Sequence, residues 1–404
     1  MQIKSDQKYN IICLSNQLWD FENWTNKKHV MSRLMEAGHN VIFVDPPINT
    51  GFVFFRHLLR GNWTFNRVLT QVKNITKNSI IFTPLNVIPF KRITSIFHVF
   101  KLSTLTKRYF DKNFPTILWI YNMEIPYVKT YVKFLKYDEL VYDCVDNYPA
   151  FPKYDTKEKR DHVTKIENYL IKQSDLVFTT APGIYDRIKK QNKNTFYTPN
   201  VGDYEMFKDT KKFKFQLPKD LKDIPEPRIG FIGALDEYKF DFELFKKIVT
   251  DHPNYSFVLI GPLGLKDKDA SLDSLGFGDF KNIYYLGSKP YRDKIKYMAG
   301  LDVDIIPYVL NDYTVGGCFP VKFHDSLAAG LPVVVTDLPA YHDFKEVCYI
   351  SKSYEQFSRN LTKAIDEDEV SKIAQRKAVA KENNWENKVK KMLEIIREDL
   401  RVRN

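Results

Sequence analysis

The sequence Pro320-Val321-Lys322-Phe323-His324-Asp325-Ser326-Leu327-Ala328-Ala329-Gly330-Leu331-Pro332 runs directly into the apolar residues Val333-Val334-Val335-Thr336. Proline suits the start of a helix, where a missing amide donor costs nothing. Gly330 suits the left-handed position just past a helix end, and Pro332 prevents the helix from continuing. Consecutive β-branched residues are typical of a buried strand. The stretch therefore predicts a helix that feeds directly into a strand of an α/β sheet.

The predicted helix carries a cation, Lys322, in its first turn. Because the free amides and the dipole already make a helix start positive, a lysine there opposes the dipole and indicates a bound anion such as phosphate. Asp325 follows three residues later, close to the same face. An ordinary Lys–Asp pair on a surface helix gives the same local pattern, so the stretch alone leaves both interpretations open.

Length and composition favour a globular protein of two domains. The chain has 404 residues, of which 44% are hydrophobic and 15% aromatic, which argues against disorder and for more than one core. No apolar run approaches the roughly 20 residues that span a bilayer. Widely spaced cysteines fit neither a disulfide framework nor a zinc site, so we expect a soluble or peripheral protein of the reducing cytoplasm. The cysteines are Cys13, Cys144, Cys318 and Cys348.

One segment, residues 51–113, carries nearly the whole excess of positive charge. It contains eleven lysines and arginines against a single acid, Asp111, in a chain whose formal net charge is +11. Aromatic residues such as Phe54, Phe97 and Phe100 are interleaved with these cations. Such a basic, amphipathic segment is typical of a membrane-surface or polyanion-binding face, and the chain shows no nucleic-acid-binding module. A basic helical insertion packed on its own domain is the alternative.

Apolar strands alternate with helices along the chain, first from Ile11 to Thr198 and again from Arg228 onward. This alternation predicts two doubly wound parallel sheets, and two such domains facing each other leave a central cleft where a site is expected. The predicted parts are an N-terminal Rossmann-like domain (1–207), a charged linker (208–224), a C-terminal Rossmann-like domain (225–384), and a helix (385–404) that crosses back to the first domain.

Two glycine-rich turns are predicted besides the helix that starts at Pro320. Glycine lets backbone amides approach a diphosphate closely. Gly230-Phe231-Ile232-Gly233 ends a strand, and Gly316-Gly317-Cys318-Phe319-Pro320 leads into Lys322. Combined with Pro320-x-Lys322-x-x-Asp325-x-Leu327-Ala328-Ala329-Gly330-x-Pro332-Val333-Val334, these turns resemble the donor-site motif of GT-B nucleotide-sugar glycosyltransferases, with a family-four-like pattern.

The N-terminal half carries the same resemblance, which covers about residues 11–397 and is weakest over 52–116. It is similar to the N-terminal domains of capsule, teichuronic-acid and xanthan-type (glucuronosyl)transferases. The similar stretches are Trp19-Asp20-x-x-Asn23-Trp24, Phe43-Val44-Asp45-Pro46-Pro47, and Val141-Tyr142-Asp143-Cys144-Val145-Asp146 leading to Ser174-Asp175-Leu176-Val177-Phe178-Thr179-Thr180. The resemblance implies the GT-B architecture of two Rossmann-like domains around a cleft.

The resemblance implies that the C-terminal domain binds the donor. Lys322, helped by the helix start and by the glycine turns at Gly233 and Gly317, would neutralise the diphosphate as leaving-group charge develops. Asp325 stands where the family usually has Glu, which hydrogen-bonds the ribose hydroxyls, and its side chain is shorter by one methylene. Tyr308 would frame a uracil base or, alternatively, belong to the core.

The N-terminal domain would then hold the acceptor and any catalytic base. Asp143 and Asp146 are predicted at the carboxyl end of a strand, where a partly desolvated carboxylate can take a proton from an acceptor hydroxyl. Capping of a strand or helix end is the alternative role for each. The residues expected to face the acceptor or the membrane are Trp19, Arg56, Arg60, Lys91 and Arg92.

Together these features predict a glycosyltransferase that moves a hexosyl or uronosyl group from a nucleotide donor, expected to be UDP-linked, to an acceptor in surface-glycan synthesis. The acceptor would be a lipid-linked or anionic glycan of capsule, exopolysaccharide or cell wall, met at the inner face of the cell membrane. We expect no cofactor and no metal, because Lys322 and helix dipoles can replace a metal electrostatically. A UDP-sugar 2-epimerase-type isomerase, which needs no acceptor, and a non-catalytic nucleotide- or membrane-binding module remain alternatives.

Overall fold

The computed structural model describes residues 7–21, 24–49, 59, 70–86, 90–121, 123, 127–264, 271–366 and 369–403. Over these residues the chain forms two large, mostly parallel sheets with helices packed against them, which confirms the predicted fold class. Arg56 and Arg60, like most of the basic segment before residue 70, lie outside the described residues.

The N-terminal sheet has eight strands, built from short apolar runs of the kind that parallel sheets bury. They are Asn10–Leu14 (β1), Asn40–Val44 (β2), Val72–Asn74 (β3), Ile80–Phe82 (β4), Thr116–Ile120 (β5), Glu139–Cys144 (β6), Leu176–Thr179 (β7) and Thr195–Tyr197 (β8). Their spatial order is β8-β7-β6-β5-β1-β2-β4-β3, and only β3 runs antiparallel to its neighbour. Alternate residues of β1 enter two separate cores, one on each face of the sheet.

The C-terminal sheet has six parallel strands in the order β11-β10-β9-β12-β13-β14. They are Arg228–Ile232 (β9), Ser256–Ile260 (β10), Ile283–Gly287 (β11), Val303–Ile306 (β12), Val333–Thr336 (β13) and Tyr349–Ser351 (β14). The strand order reverses between β9 and β12, and in such sheets ligands bind at the carboxyl ends beside this reversal. Two small two-stranded sheets pair Ile48–Asn49 with Leu85–Asn86 and Leu235–Asp236 with Leu263–Gly264.

Helices connect the strands in both halves. The N-terminal half contains Asn26–Glu36 (α1), Lys91–Tyr109 (α2), Val128–Phe134 (α3), Lys157–Gln173 (α4) and Pro182–Lys189 (α5). Tyr204–Phe207 (α6) and Lys219–Lys222 (α7) follow, and then Phe242–Asp251 (α8), Lys294–Met298 (α9), Asp312–Gly317 (α10), Val321–Ala329 (α11), Tyr354–Asp366 (α12), Val370–Glu382 (α13) and Trp385–Arg403 (α14). Among the described helices, none combines the length and the apolarity that crossing a bilayer requires.

The helix and the strand predicted for residues 320–336 both form. Pro320 occupies the position just before the first turn of α11, and Gly330 ends the helix with a left-handed φ of 84°. Only glycine takes this conformation at little cost, which is why the helix stops there. β13 follows at once and is buried along its whole length.

The segment predicted as a charged linker, 208–224, is instead part of the C-terminal domain. Leu221 and Ile224 are buried in the core of that domain, and so is Phe207 just before the segment. The charged residues of this segment face solvent while these apolar side chains anchor it, so its composition misled the prediction. The chain passes from one domain to the other between Val201, which packs in an N-terminal core, and Phe207.

Helix α14 lies against the N-terminal domain, although it follows the C-terminal domain in the chain. Trp385 is fully buried and stacks on His29 of α1, with ring centres 4.5 Å apart. One apolar face of α14 completes an N-terminal core that also contains Trp119 and Phe178. The residues of that face are Trp385, Val389, Met392, Ile396 and Leu400.

Candidate functional site

A cleft with a volume of about 350 Å³ lies between the two domains. The C-terminal domain lines it with residues that follow β9, β10 and β12 and with the start of α11. The N-terminal domain lines it with the start of α1 and with residues that follow β6. Of the residues named from the sequence, the cleft brings together Asp146, Gly233, Tyr308, Gly317, Lys322 and Asp325.

The cleft is cationic. Its described lining contains two carboxylates, Asp146 and Asp325, against a larger number of lysine side chains. A low-dielectric cavity of one sign strengthens the field on an incoming ligand of the opposite sign. The cleft is therefore suited to a polyanion. The lysines are Lys27, Lys239, Lys289, Lys294 and Lys322.

The amine of Lys322 is buried in this cleft and has no hydrogen-bonding partner among the described residues. It lies 3.6 Å from the centre of the Phe231 ring and 5.4 Å from that of Tyr308. Gly233 makes room for it, because a Cβ at that position would collide with the amine. Burial lowers the pKa of Lys322, and the nearby Asp304 carboxylate partly offsets this effect. A buried, unpaired cation is costly, so an entering anion would relieve it.

Asp304 lies in β12, where its charge acts on Lys322. One of its oxygens accepts a hydrogen bond from the Ser326 hydroxyl at 2.5 Å, and the other has no partner among the described residues. Burial raises the pKa of Asp304, while the Ser326 hydrogen bond and the charge of Lys322 lower it. Asp304 thus influences the charge of Lys322 without a hydrogen bond between the two side chains.

Two helix starts that face the cleft, those of α1 and α11, have no side-chain cap. Thr25 before α1 and Pro320 before α11 make no capping hydrogen bond. By contrast, Asn311 caps α10 and Asp241 caps α8 through their side chains. Uncapped amides at a helix start need other acceptors. An anion in the cleft could accept hydrogen bonds from the first amides of both helices, one in each domain.

Asp325 is buried and both of its oxygens are already engaged. One accepts a hydrogen bond from the Asp203 amide at 2.9 Å, and the other forms an ion pair with Lys294 at 2.7 Å. Asp203 lies where the chain crosses between the domains, and its carboxylate contacts Arg33 of α1 at 3.4 Å. Asp325 therefore connects the cleft to the crossing segment. A ribose hydroxyl could reach it only by sharing these oxygens.

Tyr308 and Gly317 line the cleft but are not free within it. Tyr308 is almost fully buried, and burial raises the pKa of its hydroxyl. Gly317 ends helix α10, where the sequence suggested an open glycine loop. A Cβ at Gly317 would meet the Cβ and amide of Asn147 in the other domain. Gly317 therefore permits a close contact between the domains. Its predicted role was different, namely to form part of a diphosphate-binding loop.

A second glycine pair makes the same kind of contact. The Cα of Gly183 in α5 lies so close to Gly316 of α10 that a Cβ at Gly183 would collide with the Gly316 carbonyl. The Asn147 side chain also donates a hydrogen bond to the Asp312 carbonyl at 3.1 Å. The domains thus touch through backbone on one side of the cleft.

Asp146 lies in the cleft and bonds across it. Its carboxylate accepts a hydrogen bond at 2.8 Å from the hydroxyl of Tyr313, a residue of α10. Burial, together with the charge of Asp146, raises the pKa of Tyr313 well above its usual value. The hydroxyl therefore stays protonated and donates to the carboxylate. Asp146 is the acidic group of the N-terminal domain that a bound acceptor could meet.

Asp143 does not reach the cleft, although the sequence placed it beside Asp146 after the strand. β6 extends to Cys144, so Asp143 lies inside the strand and points into a core. It is 1% exposed and accepts a hydrogen bond from the Trp119 indole at 3.2 Å. Burial raises its pKa, and the charge of Lys388 from α14 lowers it. Its position suits internal charge balance.

Three of the residues predicted to face the acceptor or the membrane, Trp19, Lys91 and Arg92, lie on the N-terminal domain outside the cleft. Trp19 is half-buried, its ring packs edge-on against Phe43, and its amide donates to Asp45 at 2.8 Å. Lys91 and Arg92 are exposed at the start of α2, and the Arg92 guanidinium lies over the Tyr127 ring.

Sequence reasoning missed a pair of stacked aromatic rings at the rim of the cleft. Trp24 follows β1, and its ring lies parallel to Tyr291 of the C-terminal domain, with centres 5.6 Å apart. Lys28 lies over the outer part of the same pair, 4.7 Å from the Trp24 ring. Asn200 forms another bridge between the domains, from Asn26 of α1 to the Phe319 carbonyl.

Within the described ranges, no group of three or more His, Cys, Asp or Glu side chains could hold a metal ion.

Comparison with known proteins agrees with this geometry. Residues 226–366 match the family model for Glycosyl transferases group 1. TuaH of Bacillus subtilis (strain 168), whose name assigns it to teichuronic acid biosynthesis as a glycosyltransferase, is 26% identical over 273 residues. That match covers 62% of this chain and 64% of TuaH, a little under two thirds of the relative's length.

Solved structures share the architecture over nearly the whole chain. Sucrose-phosphate synthase from Thermosynechococcus elongatus has a TM-score of 0.69 at 14% identity, covering 97% of this chain and 99% of that protein. Anabaena Alr3699/HepE in complex with UDP has a TM-score of 0.67 at 12% identity, covering 97% and 100%. At these identities the likeness shows the fold.

Proposed function

Because this chain has the GT-B fold and its C-terminal domain matches the group 1 glycosyl transferases, we propose that it transfers a sugar from a nucleotide diphosphate donor to a surface-glycan acceptor. The donor is UDP-linked, the transferred group is a hexosyl or uronosyl unit, and the acceptor is a lipid-linked or anionic glycan. The name of TuaH and the UDP bound by Alr3699/HepE support this choice of pathway and nucleotide.

The observation that carries the proposal is the buried, unpartnered amine of Lys322 at the uncapped start of α11. A diphosphate beside Gly233 would accept from the first amides of α11 and from this amine together. As the bond from the sugar to the diphosphate breaks, negative charge grows on the departing phosphate. Groups that are already oriented toward that charge stabilise the transition state more than the ground state.

We propose that the reaction needs neither a metal nor a cofactor. Lys239 and Lys294 line the same cleft as Lys322 and add to the positive potential that a departing diphosphate requires. Lysine charges and helix amides can carry this electrostatic task. The measurement is transfer activity after exhaustive dialysis against EDTA, which we expect to stay unchanged.

Asp146 is the residue that we propose to receive the proton of the acceptor hydroxyl. It is the N-terminal carboxylate of the cleft, and Tyr313 orients it from the opposite domain. A positioned carboxylate within hydrogen-bonding reach of a hydroxyl can act as a general base. Asp143, the other predicted candidate, is excluded from contact with an acceptor by its burial.

We propose that the protein works at the inner face of the cell membrane, held there by helix α2. Ile93, Ile96, Phe97 and Phe100 follow the i, i+3, i+4, i+7 spacing of one helix face and are exposed, Phe97 by 63% and Phe100 by 74%. Arg92 and Lys101 are exposed on the same helix. An apolar stripe with cations beside it suits an anionic membrane surface, where a lipid-linked acceptor is found.

A thermal-shift screen against nucleotide sugars tests the proposal, since a ligand that binds only the folded state raises its stability. We expect UDP and one UDP-sugar to stabilise the protein, and the Lys322→Ala variant to lose that response. Incubation of that UDP-sugar with and without bacterial membrane lipids then separates transfer from isomerisation. Formation of an epimer without an acceptor, or normal transfer by Lys322→Ala, would overturn the proposal.

A further inference from the structure

A second cavity, of about 430 Å³, opens in the N-terminal domain between the start of α2, α3 and α4. None of the cleft residues lines it. Its floor is apolar, because Met123, Val128 and Val163 are buried there and Ile166 is half-buried beside them. Tyr127 and Tyr154 close its sides.

The rim of this cavity carries positive charge. Lys91, Lys129 and Lys165 line it, and no carboxylate is among its described lining residues. Arg92 adds a further cation nearby, since its guanidinium lies 5.0 Å from the centre of the Tyr127 ring. Apolar walls below a rim of one sign select a ligand that is anionic at one end and hydrocarbon at the other.

The cavity also adjoins the exposed apolar stripe of α2. Lys91 is the first residue of α2 and lines the cavity, while Phe90 and Ile93 on either side of it are exposed to solvent. Phe134, at the end of α3, is exposed as well. A ligand in the cavity would therefore have its charged group among the lysines and its chain beside an apolar surface.

We infer that this cavity binds the phosphate headgroup and first chain carbons of an anionic membrane lipid. Lys129 and Lys165 pair with the phosphate, and the floor around Val163 and Ile166 takes the carbons next to it. Charge complementarity favours this occupant, because a soluble anion would leave the apolar floor unused and a neutral lipid would leave the rim unpaired. The inference concerns membrane recognition and does not depend on sugar transfer.

A lipid bound in this cavity would also set the orientation of the cleft relative to the membrane. Tyr154 of the cavity wall donates its amide to the Phe151 carbonyl at 3.0 Å, and the Phe151 ring packs on Tyr313, which lines the cleft. Contacts through Phe151 and Tyr313 thus connect the cavity wall to Asp146. Docking there would present the mouth of the cleft to acceptors in the same leaflet.

The test is titration of the full chain with a short-chain phosphatidylglycerol below its micelle concentration, followed by calorimetry. The comparison ligands are the phosphatidylcholine of equal chain length and inorganic phosphate. We expect saturable binding of phosphatidylglycerol, and at least about tenfold weaker binding of the other two. Equal binding of phosphatidylcholine would show a purely apolar site, and equal binding of phosphate would show a simple anion site; either overturns the inference.

Variants locate the site. Lys129→Glu with Lys165→Glu reverses the rim, and Ile166→Trp fills the floor, so each should weaken phosphatidylglycerol binding at least about tenfold. Lys172→Glu with Lys193→Glu alters two exposed lysines outside the cavity and should leave binding intact. An unchanged affinity in both cavity variants contradicts the inference.

A thermal shift with UDP on every variant separates this inference from the proposed function. A retained shift shows that the altered chain is folded and that its cleft is undisturbed. If UDP gives no shift on the unaltered chain while phosphatidylglycerol still binds, the donor proposal fails and the lipid site stands. The opposite pattern removes the lipid site alone.

Discussion

Lys322 should make donor binding depend on pH. Its buried amine has a lowered pKa because of burial, and Asp304, Lys294, Lys239 and Cys318 are the titratable groups that influence it. A diphosphate beside the amine favours the charged form, so binding raises this pKa again. Between the free and the bound pKa the protein must therefore take up a proton as it binds, and donor affinity should fall as pH rises through that window.

Calorimetry with UDP-glucose in buffers of different ionisation enthalpy measures this uptake, because the diester donor does not titrate there itself. We expect a buffer-dependent binding enthalpy at about pH 8 and none at about pH 5, where the amine is already charged. A binding enthalpy that is independent of buffer at both values would show that Lys322 is charged before the donor arrives.

Asp146 and Asp143 should respond differently to the same amide substitution. Asp146→Asn keeps the shape of the cleft but removes the proposed base, so kcat should fall by about 10²–10⁴-fold with little change in melting temperature. Steady-state kinetics with saturating donor gives this value. Full activity of Asp146→Asn would exclude a base at this position.

Asp143→Asn should mainly affect stability. The pKa of Lys388 is lowered to about 8. Burial lowers it, and the negative charge of Asp143 partly offsets this effect. Removing that charge leaves Lys388 and Lys27 buried with less compensation, which costs on the order of 1–3 kcal/mol of unfolding free energy. Urea unfolding measures the change, and an unaltered midpoint would contradict the assigned role.

Single residues were predictable where their chemistry is local. Lys322 opposes a helix dipole in its own turn, so the sequence alone indicates an anion there. Asp304 and Lys294 could not be recognised in this way, because their positions near Lys322 arise from sheet order and from an ion pair across 31 residues. Asp143 was misplaced because strand β6 continues two residues beyond the run of apolar side chains.

At the scale of elements, the backbone contacts of α10 with the N-terminal domain should tolerate no side chain. Gly183→Ala would drive a methyl group into the Gly316 carbonyl, and Gly317→Ala would drive one into Asn147. We expect each to cost about 1–3 kcal/mol and to weaken the UDP-induced thermal shift by opening the cleft. Gly278→Ala, where a Cβ meets nothing closer than 3.4 Å, is the matched control. An unchanged response to UDP would mean that the cleft forms without this contact.

Helix α2 should govern attachment to vesicles. Phe97→Ser combined with Phe100→Ser removes two exposed rings from the apolar stripe, so binding to phosphatidylglycerol vesicles should weaken at least about tenfold. Co-sedimentation measures it. Phe215→Ser alters a ring that is 97% exposed on the C-terminal domain and should leave binding unchanged. Equal losses in both variants would show that general surface hydrophobicity, and not α2, causes attachment.

Elements were predictable where start and stop residues agree with the apolar pattern. Helices α4 and α11 and the buried strands follow from caps, glycine stops and β-branched runs. Helix α10 was missed, although Asn311 and Thr314 form a capping box that its sequence contains. The glycines at its end outweighed that signal, because glycine more often marks a loop than a helix that another backbone approaches.

At the scale of the whole molecule, Trp385 should control the stability of the N-terminal domain. Its ring is fully buried against His29, so Trp385→Ala should cost about 3–5 kcal/mol. Differential scanning calorimetry should show the N-terminal transition shifted down more than the C-terminal one. Val370→Ala, at a position 82% exposed, serves as the control. A uniform shift of both transitions would indicate that the domains unfold as one unit.

The arrangement of the domains could be predicted only in outline. The helix at 385–404 was predicted to cross back to the first domain, but the partners across the cleft did not follow from the sequence. Tyr313 bonds to Asp146 across 167 positions, and Asn147 bonds to the Asp312 carbonyl across 165. Such pairs depend on the relative orientation of two sheets, which local patterns do not specify.

The position of α14 also sets an order of events during translation. The N-terminal core that receives the apolar face of α14 consists otherwise of buried residues up to Val201. At about 5–20 residues per second, the ribosome needs roughly 10–40 s to proceed from residue 207 to residue 403. Throughout that interval we expect the nascent N-terminal domain to expose an apolar groove that its own later residues must fill, and such surface is prone to aggregation until it is covered.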